Sequence, residues 1–237
     1  MKKEKKNIFQ KLRIPKLLTA LMLIPALLLG IFLFRFTVRV LPVDFFRIRH
    51  YADMSGEWNL ILVSQDNYIP KDYEVTLATL PNLKQVDERI LPYLTEMFLD
   101  AREAGIELFV REGYRSREDQ KRILKNRINA LREEGYSRSD ARKEALRWVA
   151  VPGTSEHELG LASDINAYTA VTSNEEAYAW LKEHAYRYGF ILRYPPDKTE
   201  ITGIGNEPWH FRYVGLEASQ VIQENGWCLE EYLDQGP

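Results

Sequence analysis

Three residues that could bind a metal ion occur in the C-terminal half of the chain, in segments rich in Gly, Pro, Asp and Glu. His157 and Asp164 are separated by a turn-forming segment that contains Gly160, and His210 follows further along. A hydrolytic zinc site takes three ligands of the His, Asp or Glu type and leaves a fourth position for water. His157, Asp164 and His210 could therefore share one metal ion if the chain doubles back.

A carboxylate that could accept a proton lies close to this set. Glu207 precedes His210 by three residues, and metal-assisted hydrolysis needs a base near the attacking water. Glu156 and Glu158, which flank His157, are alternatives that rank lower because neither has this spacing to a histidine. Spacing alone does not separate a metal site from histidines and carboxylates that are merely hydrogen-bonded, because neither pattern is specific.

The remaining residues with reactive side chains have simpler interpretations. His184 falls in a predicted helix and is interpreted as structural, and Arg111 and Arg117 are expected to be solvated surface residues. The single cysteine, Cys228, excludes an intramolecular disulfide. It is expected to be a small buried apolar residue.

Hydrophobic periodicity and helix-ending residues predict several helices around these segments. Apolar residues at helical spacing predict a helix over Leu83–Ala104, ended by Gly105. Residues 117–150 predict two charged helices that are split near Gly135, the second capped by Ser137.

Short apolar runs and a further helical pattern complete the predicted domain. Strands are predicted over residues 56–63, 106–111, 190–194 and 209–214, and helices over 174–188 and 216–225. Helices and short strands alternate irregularly, which favours an α+β fold with a small antiparallel sheet flanked by helices.

Charge is divided unevenly between the start of the chain and the rest. The first 50 residues carry eleven Lys or Arg against two acidic residues, and the rest carries 21 basic against 32 acidic residues. The larger part is therefore acidic and has no basic stripe, so nucleic acid is not expected as a partner.

A long apolar run near the N-terminus predicts one transmembrane helix. Residues 17–34 contain no charged side chain, and eighteen apolar residues approach the minimum for a membrane-spanning helix. Seven Lys or Arg precede the run, which places the N-terminus in the cytoplasm. The competing interpretation is a cleaved signal peptide, but bulky residues follow the run, so an uncleaved anchor is favoured.

This interpretation divides the chain into four parts. A basic cytoplasmic segment at residues 1–16 precedes the anchor at 17–34, a linker at 35–56 and a catalytic domain at 57–237. The protein is expected in the cell membrane as a single-pass protein, with this domain outside the cytoplasm.

Three segments together resemble the D-alanyl-D-alanine carboxypeptidase family of zinc peptidases, which includes VanY-type enzymes and related LD-carboxypeptidases. They are GYRSREDQ at Gly113–Gln120, PGTSEHELGLASDI at Pro152–Ile165 and EPWHFRYVG at Glu207–Gly215. The second is similar to the family pattern S-x-H-x-x-G-x-A-x-D and the third to E-x-W-H. They occur in the family's order, and the resemblance covers roughly residues 70–225.

The resemblance implies a role for each candidate residue. It implies zinc bound by His157, Asp164 and His210, with Glu207 as the general base. It further implies that Arg115 stabilises the oxyanion that forms at the scissile carbonyl. Two more residues become candidate contacts to the terminal carboxylate of the substrate, namely Gln120 and Ser155.

The resemblance also implies a substrate class. Enzymes of this kind remove the terminal D-Ala from peptidoglycan stem peptides, and an anchor would hold the domain where such peptides are presented. An LD-carboxypeptidase acting on tetrapeptide stems shares every motif, and a non-catalytic cell-wall binding module is a further alternative. The sequence does not indicate an oligomeric state.

Overall fold

The computed structural model describes residues 50–235. The predicted anchor at residues 17–34 and most of the predicted linker lie outside the described residues. Within residues 50–235, the helices are too short or too polar to cross a bilayer.

The described residues form short strands and helices in a mixed order. The strands are β1 His50–Tyr51, β2 Asn67–Tyr68, β3 Leu77–Thr79, β4 Gln85–Asp87, β5 Leu108–Glu112, β6 Ala162–Ala167, β7 Phe190–Leu192 and β8 His210–Tyr213. The α-helices are α1 Leu91–Glu103, α2 Arg117–Glu133, α3 Arg138–Ala145, α4 Asn174–His184, α5 Thr199–Thr202, α6 Leu216–Asn225 and α7 Leu229–Gln235. Short 3-10 helices are Glu88–Ile90, Glu156–Leu159, Ala185–Tyr188 and Pro196–Lys198.

A four-stranded antiparallel sheet lies at the centre, with strand order β5-β6-β8-β7. In its register, Asp164 of β6 lies opposite His210 of β8 and, on the other side, opposite Glu112 of β5. The prediction of a small antiparallel sheet with helices around it is confirmed. The sheet brings two segments that are distant in sequence to neighbouring positions.

The segment Leu83–Ala104 is only partly helical, so the first part of that prediction is wrong. Leu83 lies in the tight turn between β3 and β4 with a φ of 66°, and Gln85–Asp87 pairs as a strand. The α-helix begins at Leu91 with Pro92 in its first turn, and Gly105 follows its end with a φ of 82°. The apolar residues before Leu91 have helical spacing, but they belong to the β3–β4 hairpin and the 3-10 helix Glu88–Ile90. Spacing alone therefore predicted too long a helix.

The predicted strand at residues 56–63 does not form. Ile61 and Val63 are buried, so the segment packs against the core without joining a sheet. The Arg212 guanidinium donates hydrogen bonds to the carbonyls of Asn59 and Ile61, each at 3.0 Å. A side chain thus satisfies buried backbone carbonyls that a strand neighbour would otherwise pair.

The two charged helices are confirmed, and their caps explain where they begin. Ser116 and Ser137 accept hydrogen bonds from the backbone three residues later, at the starts of α2 and α3. The next predicted helix also forms as α4 and a 3-10 turn, and ends at Gly189. The C-terminal helix α7 was not predicted, and it packs Leu229 and Tyr232 into a second apolar cluster.

Gly113 sits where the chain leaves β5 and crosses β4, which leaves no room for a side chain. A Cβ at this position would collide with the backbone carbonyl of Gln85. Over-packing of this kind costs about 1–3 kcal/mol. We therefore predict that Gly113→Ala lowers the free energy of unfolding by about 1–3 kcal/mol in denaturant titrations.

Gly56→Ala is the matched control for this prediction. A Cβ at Gly56 meets nothing within 4 Å, and Gly56 is not among the glycines with positive φ. Equal stability of the two variants would contradict the account of Gly113.

Candidate metal centre and active site

The three predicted metal ligands converge in the structure. Ligand atoms of His157, Asp164 and His210 all lie within 4.8 Å of one another, and all three residues are buried. Asp164 Oδ1 is 3.4 Å from His157 Nε2 and 3.2 Å from His210 Nδ1. Two ligands about 2.0–2.1 Å from a tetrahedral zinc ion would be about 3.3–3.4 Å apart, so this donor set fits the ion.

His157 is held in the orientation that such a site requires. Its Nδ1 is 2.7 Å from the carbonyl oxygen of Gly113, which can only accept a hydrogen bond. The proton therefore belongs on Nδ1, and Nε2 offers its lone pair towards Asp164. The Gly113 carbonyl thus fixes the ring orientation of one ligand, His157.

Asp164 is anchored by Arg111, for which a solvated surface role was favoured. Its Oδ2 accepts a hydrogen bond at 3.2 Å from Nη2 of Arg111, whose side chain is half exposed. The register of β5 and β6 shifts between Val110 and Glu112, and such a bulge can redirect a side chain. Despite burial, contacts with His157 and His210 hold the pKa of Asp164 well below its usual range.

His210 lies between two carboxylates. Its Nδ1 faces Asp164, and its Nε2 is 3.4 Å from Oε2 of Glu156. Burial opposes the charged imidazolium, but the hydrogen bonds to Asp164 and Glu156 raise the pKa of His210 to about 9. The carboxylates that stabilise the protonated imidazole would also stabilise a bound cation.

Glu207 lies beside this cluster in a largely buried position. Its Oε2 is 3.7 Å from His210 Nδ1, and the turn is closed by a hydrogen bond from the His210 backbone N–H to the Glu207 carbonyl. Burial raises the pKa of Glu207 to about 7, although His210 acts in the opposite direction. A carboxyl group in this range can both accept and return a proton near neutral pH.

Arg115 and Gln120 form a linked pair next to His157. The Arg115 backbone N–H donates to the His157 carbonyl, and its Nη1 donates to Gln120 Oε1 at 2.8 Å. Gln120 is buried and also donates to the carbonyl of Ala150. In the structure Gln120 therefore orients Arg115, and its predicted contact with substrate stays a prediction. The buried Nε of Arg115 has no hydrogen-bond partner.

Ser155 opens onto a small cavity at the cluster. This cavity of about 40 Å³ is lined by Trp148, Ala150, Ser155, Glu156, His157, Tyr194, Ile204, Glu207 and His210. A roomier groove of about 430 Å³ lies between α1, β5 and the turn after β3, and none of the predicted site residues line it. The smaller cavity is the one that meets the chemistry.

A family model for VanY, D-alanyl-D-alanine carboxypeptidase, matches residues 83–216, a range that contains every predicted site residue. A D-alanyl-D-alanine carboxypeptidase from Enterococcus faecalis is 53% identical over 178 residues, which are 75% of this chain and 66% of the relative. The chain belongs to the VanY family of D-alanyl-D-alanine carboxypeptidases. The predicted resemblance is confirmed.

Solved structures of VanY enzymes have the same fold. VanYB in complex with D-alanine-D-alanine is 52% identical with a TM-score of 0.75, covering 76% of this chain and all of that one. A D,D-pentapeptidase VanY mutant in complex with Zn(II) is 52% identical with a TM-score of 0.73, covering 75% and 99% of the two chains. The LdcB LD-carboxypeptidase is 35% identical with a TM-score of 0.61, covering 73% and 84%. The chain spans about two thirds of the length of the Enterococcus faecalis relative.

Sequence reasoning missed a buried ion network behind the VanY-family site. The Arg193 guanidinium donates to Glu156 at 2.7 Å and to both carboxylate oxygens of Glu230 at 2.7 and 2.8 Å. Arg212 lies 3.1 Å from the same Glu156 oxygen. The Arg193 and Arg212 charges outweigh burial and hold the pKa of Glu156 well below its usual range.

The two glutamates that competed with Glu207 as base are both engaged. Glu156 is paired with arginines, and Glu158 accepts hydrogen bonds from the Gly153 backbone and from Arg117. Arg117 also donates to the Ile69 carbonyl, so it links the 3-10 helix Glu156–Leu159 to the segment after β2 and is not simply solvated. No spacing pattern could reveal the arginine partners, because they lie far from the two glutamates in sequence.

Proposed function

We propose that this chain is a zinc-dependent carboxypeptidase that removes the terminal D-Ala from peptidoglycan stem peptides ending in D-Ala-D-Ala. One observation carries the proposal: the His157, Asp164 and His210 ligand atoms lie within 4.8 Å, with the Glu207 carboxylate 3.7 Å from His210. The zinc ion in one VanY structure and the D-alanine-D-alanine in another support the cofactor and the substrate.

The residues of the chain divide the reaction among themselves. When bound by His157, Asp164 and His210, a zinc ion would polarise the scissile carbonyl and lower the pKa of water. Glu207 accepts the proton of the attacking water and then delivers it to the leaving amine of D-Ala. Its pKa of about 7 suits both steps, because the carboxyl group gains and loses a proton at similar cost near neutral pH.

Arg115 supplies positive charge where the carbonyl oxygen becomes negative. Gln120 accepts a hydrogen bond from Nη1, which holds the guanidinium in one orientation. A preorganised donor of this kind contributes about 10²–10³-fold to the rate. Ser155 lines the cavity and is positioned to contact the terminal carboxylate of the substrate.

The same site suits an LD-carboxypeptidase that acts on tetrapeptide stems. The LdcB LD-carboxypeptidase has this fold at 35% identity, and the two reactions differ only in the residue before the scissile bond. The higher identity to VanY enzymes favours the D-Ala-D-Ala substrate. A non-catalytic module is disfavoured because the ligand set, Glu207 and Arg115 occur together.

Two stem peptides test the assignment, one ending in D-Ala-D-Ala and one ending in a diamino acid followed by D-Ala. We expect chelator-sensitive release of D-Ala from the first peptide. Glu207→Gln should lower kcat by about 10²–10⁴-fold, since it removes the general base. Glu183→Gln, at an exposed position of α4, is the matched control and should retain activity.

The outcomes of this assay separate the alternatives. Release from the second peptide alone would assign the protein to the LD class with the same site. Absence of release from both peptides by the zinc-loaded protein would refute the carboxypeptidase assignment for these substrates.

We further propose that residues 17–34 tether the protein to the cell membrane, with the catalytic domain outside the cytoplasm. These eighteen residues carry no charge and follow seven basic residues, which supports this location.

The full chain should remain in the membrane fraction after an alkaline wash. A variant with three Leu→Asp changes in the run, at Leu21, Leu27 and Leu29, should lose this behaviour. Release of the full chain by the wash would contradict the proposed anchor.

A further inference from the structure

Glu156 is completely buried next to the metal cluster, yet the proposed reaction gives it no task. Its carboxylate contacts Arg193, which directly follows β7, and both His210 and Arg212 of β8, so its position is tightly restricted. Burying a carboxylate costs several kcal/mol unless other groups compensate. Arg193 and Arg212 supply that compensation, and the carboxylate that they hold lies beside the candidate ligand His210.

The two oxygens of Glu156 have different partners. Oε1 accepts a hydrogen bond from Arg193 Nε at 2.7 Å and lies 3.1 Å from Arg212 Nη1. Oε2 lies 3.4 Å from the Nε2 atom of His210. The arginines thus hold one oxygen, and the other is directed at the imidazole.

The direction of this contact determines which nitrogen of His210 can bind a metal ion. A neutral imidazole carries one proton and one lone pair, on opposite sides of the ring. A carboxylate can only accept, so Glu156 holds a proton on Nε2. With a metal ion bound by Asp164, the lone pair of Nδ1 would be the one directed at the ion. Nδ1 is the nitrogen that faces Asp164 at 3.2 Å, inside the ligand cluster.

We propose that Glu156 is a positioning residue that fixes the metal-binding tautomer of His210, with the proton on Nε2 and the lone pair on Nδ1. This inference rests on the proposed ligand set. Carboxylates behind metal-binding histidines are a general means of setting the tautomer, and their loss weakens metal affinity about 10–100-fold. Arg193 and Arg212 keep Glu156 ionised and in place.

The substitution Glu156→Gln tests the direction of the hydrogen bond. Arg193 and Arg212 both donate, so the glutamine carbonyl oxygen must turn towards them, which leaves its NH2 group facing His210. That NH2 donates to Nε2 and forces the proton onto Nδ1, where it competes with the metal. Glu230→Gln is the matched control, because it removes one carboxylate from the same network without touching His210.

Two measurements on the full chain separate positioning from simple structural support. Zinc affinity is determined by competition with a chelator, and the protonation of the His210 nitrogens is read by ¹⁵N NMR of the zinc-loaded protein. We expect Glu156→Gln to weaken zinc binding by about 10–100-fold. We expect Glu230→Gln to reduce thermal stability while its zinc affinity stays within about threefold, since the His210 contact is intact.

The outcomes also distinguish this inference from the proposed function. Equal losses of zinc affinity in the two variants, or no loss in Glu156→Gln, would overturn the positioning role while leaving the zinc site in place. Failure of the wild-type chain to bind zinc would instead overturn the ligand set.

If Glu156→Gln does not fold, the wild-type spectrum decides. A zinc-loaded protein with Nδ1 of His210 bound and a slowly exchanging proton on Nε2 supports the inference. Zinc on Nε2 refutes it.

Discussion

The pairing of β6 with β8 places Asp164 opposite His210, and the site depends on this register. A slip of one residue would turn one of the two side chains to the other face of the sheet. The third ligand, His157, belongs to the 3-10 turn just before β6 and is fixed by the Gly113 carbonyl at the end of β5. β6 and β8 thus supply two ligands, and the residue that follows β5 holds the third, so the cluster is built around three adjacent strands.

Charge compensation is the second constraint. The cluster and its surroundings bury several ionised groups, including Glu156, Asp164, Arg193 and Arg212. Such groups do not generally increase stability over a well-packed apolar core, because desolvation offsets their attraction. Their value here is directional, since each carboxylate and guanidinium restricts the rotation of a neighbour. Glu230 extends this restraint to α7, which lies after the segment matched by the VanY family model.

The sequence predicted the site better than the elements around it. The ligand set and Glu207 were found because resemblance to a family joins three short motifs, and those residues do converge. The strand at residues 56–63 and the helical start at Leu83 were wrong because local patterns do not contain the buried Arg212 contacts or the turn between β3 and β4. Arg193 was missed, and Glu156 and Arg111 were assigned other roles, for a similar reason. Each acts through a contact with a residue that is distant in sequence. The sequence alone does not distinguish a buried charged residue from a solvated one.

The most direct test of this account is the X-ray absorption spectrum of the zinc-loaded protein. The account predicts a shell of nitrogen and oxygen atoms at about 2.0–2.1 Å without a sulfur atom at about 2.3 Å, and scattering from two imidazoles. His210→Ala should remove one imidazole, whereas His184→Ala, which alters a histidine stacked on Trp180, should leave the spectrum unchanged. A sulfur ligand, or an unchanged number of imidazoles in His210→Ala, would contradict the assignment of the metal centre.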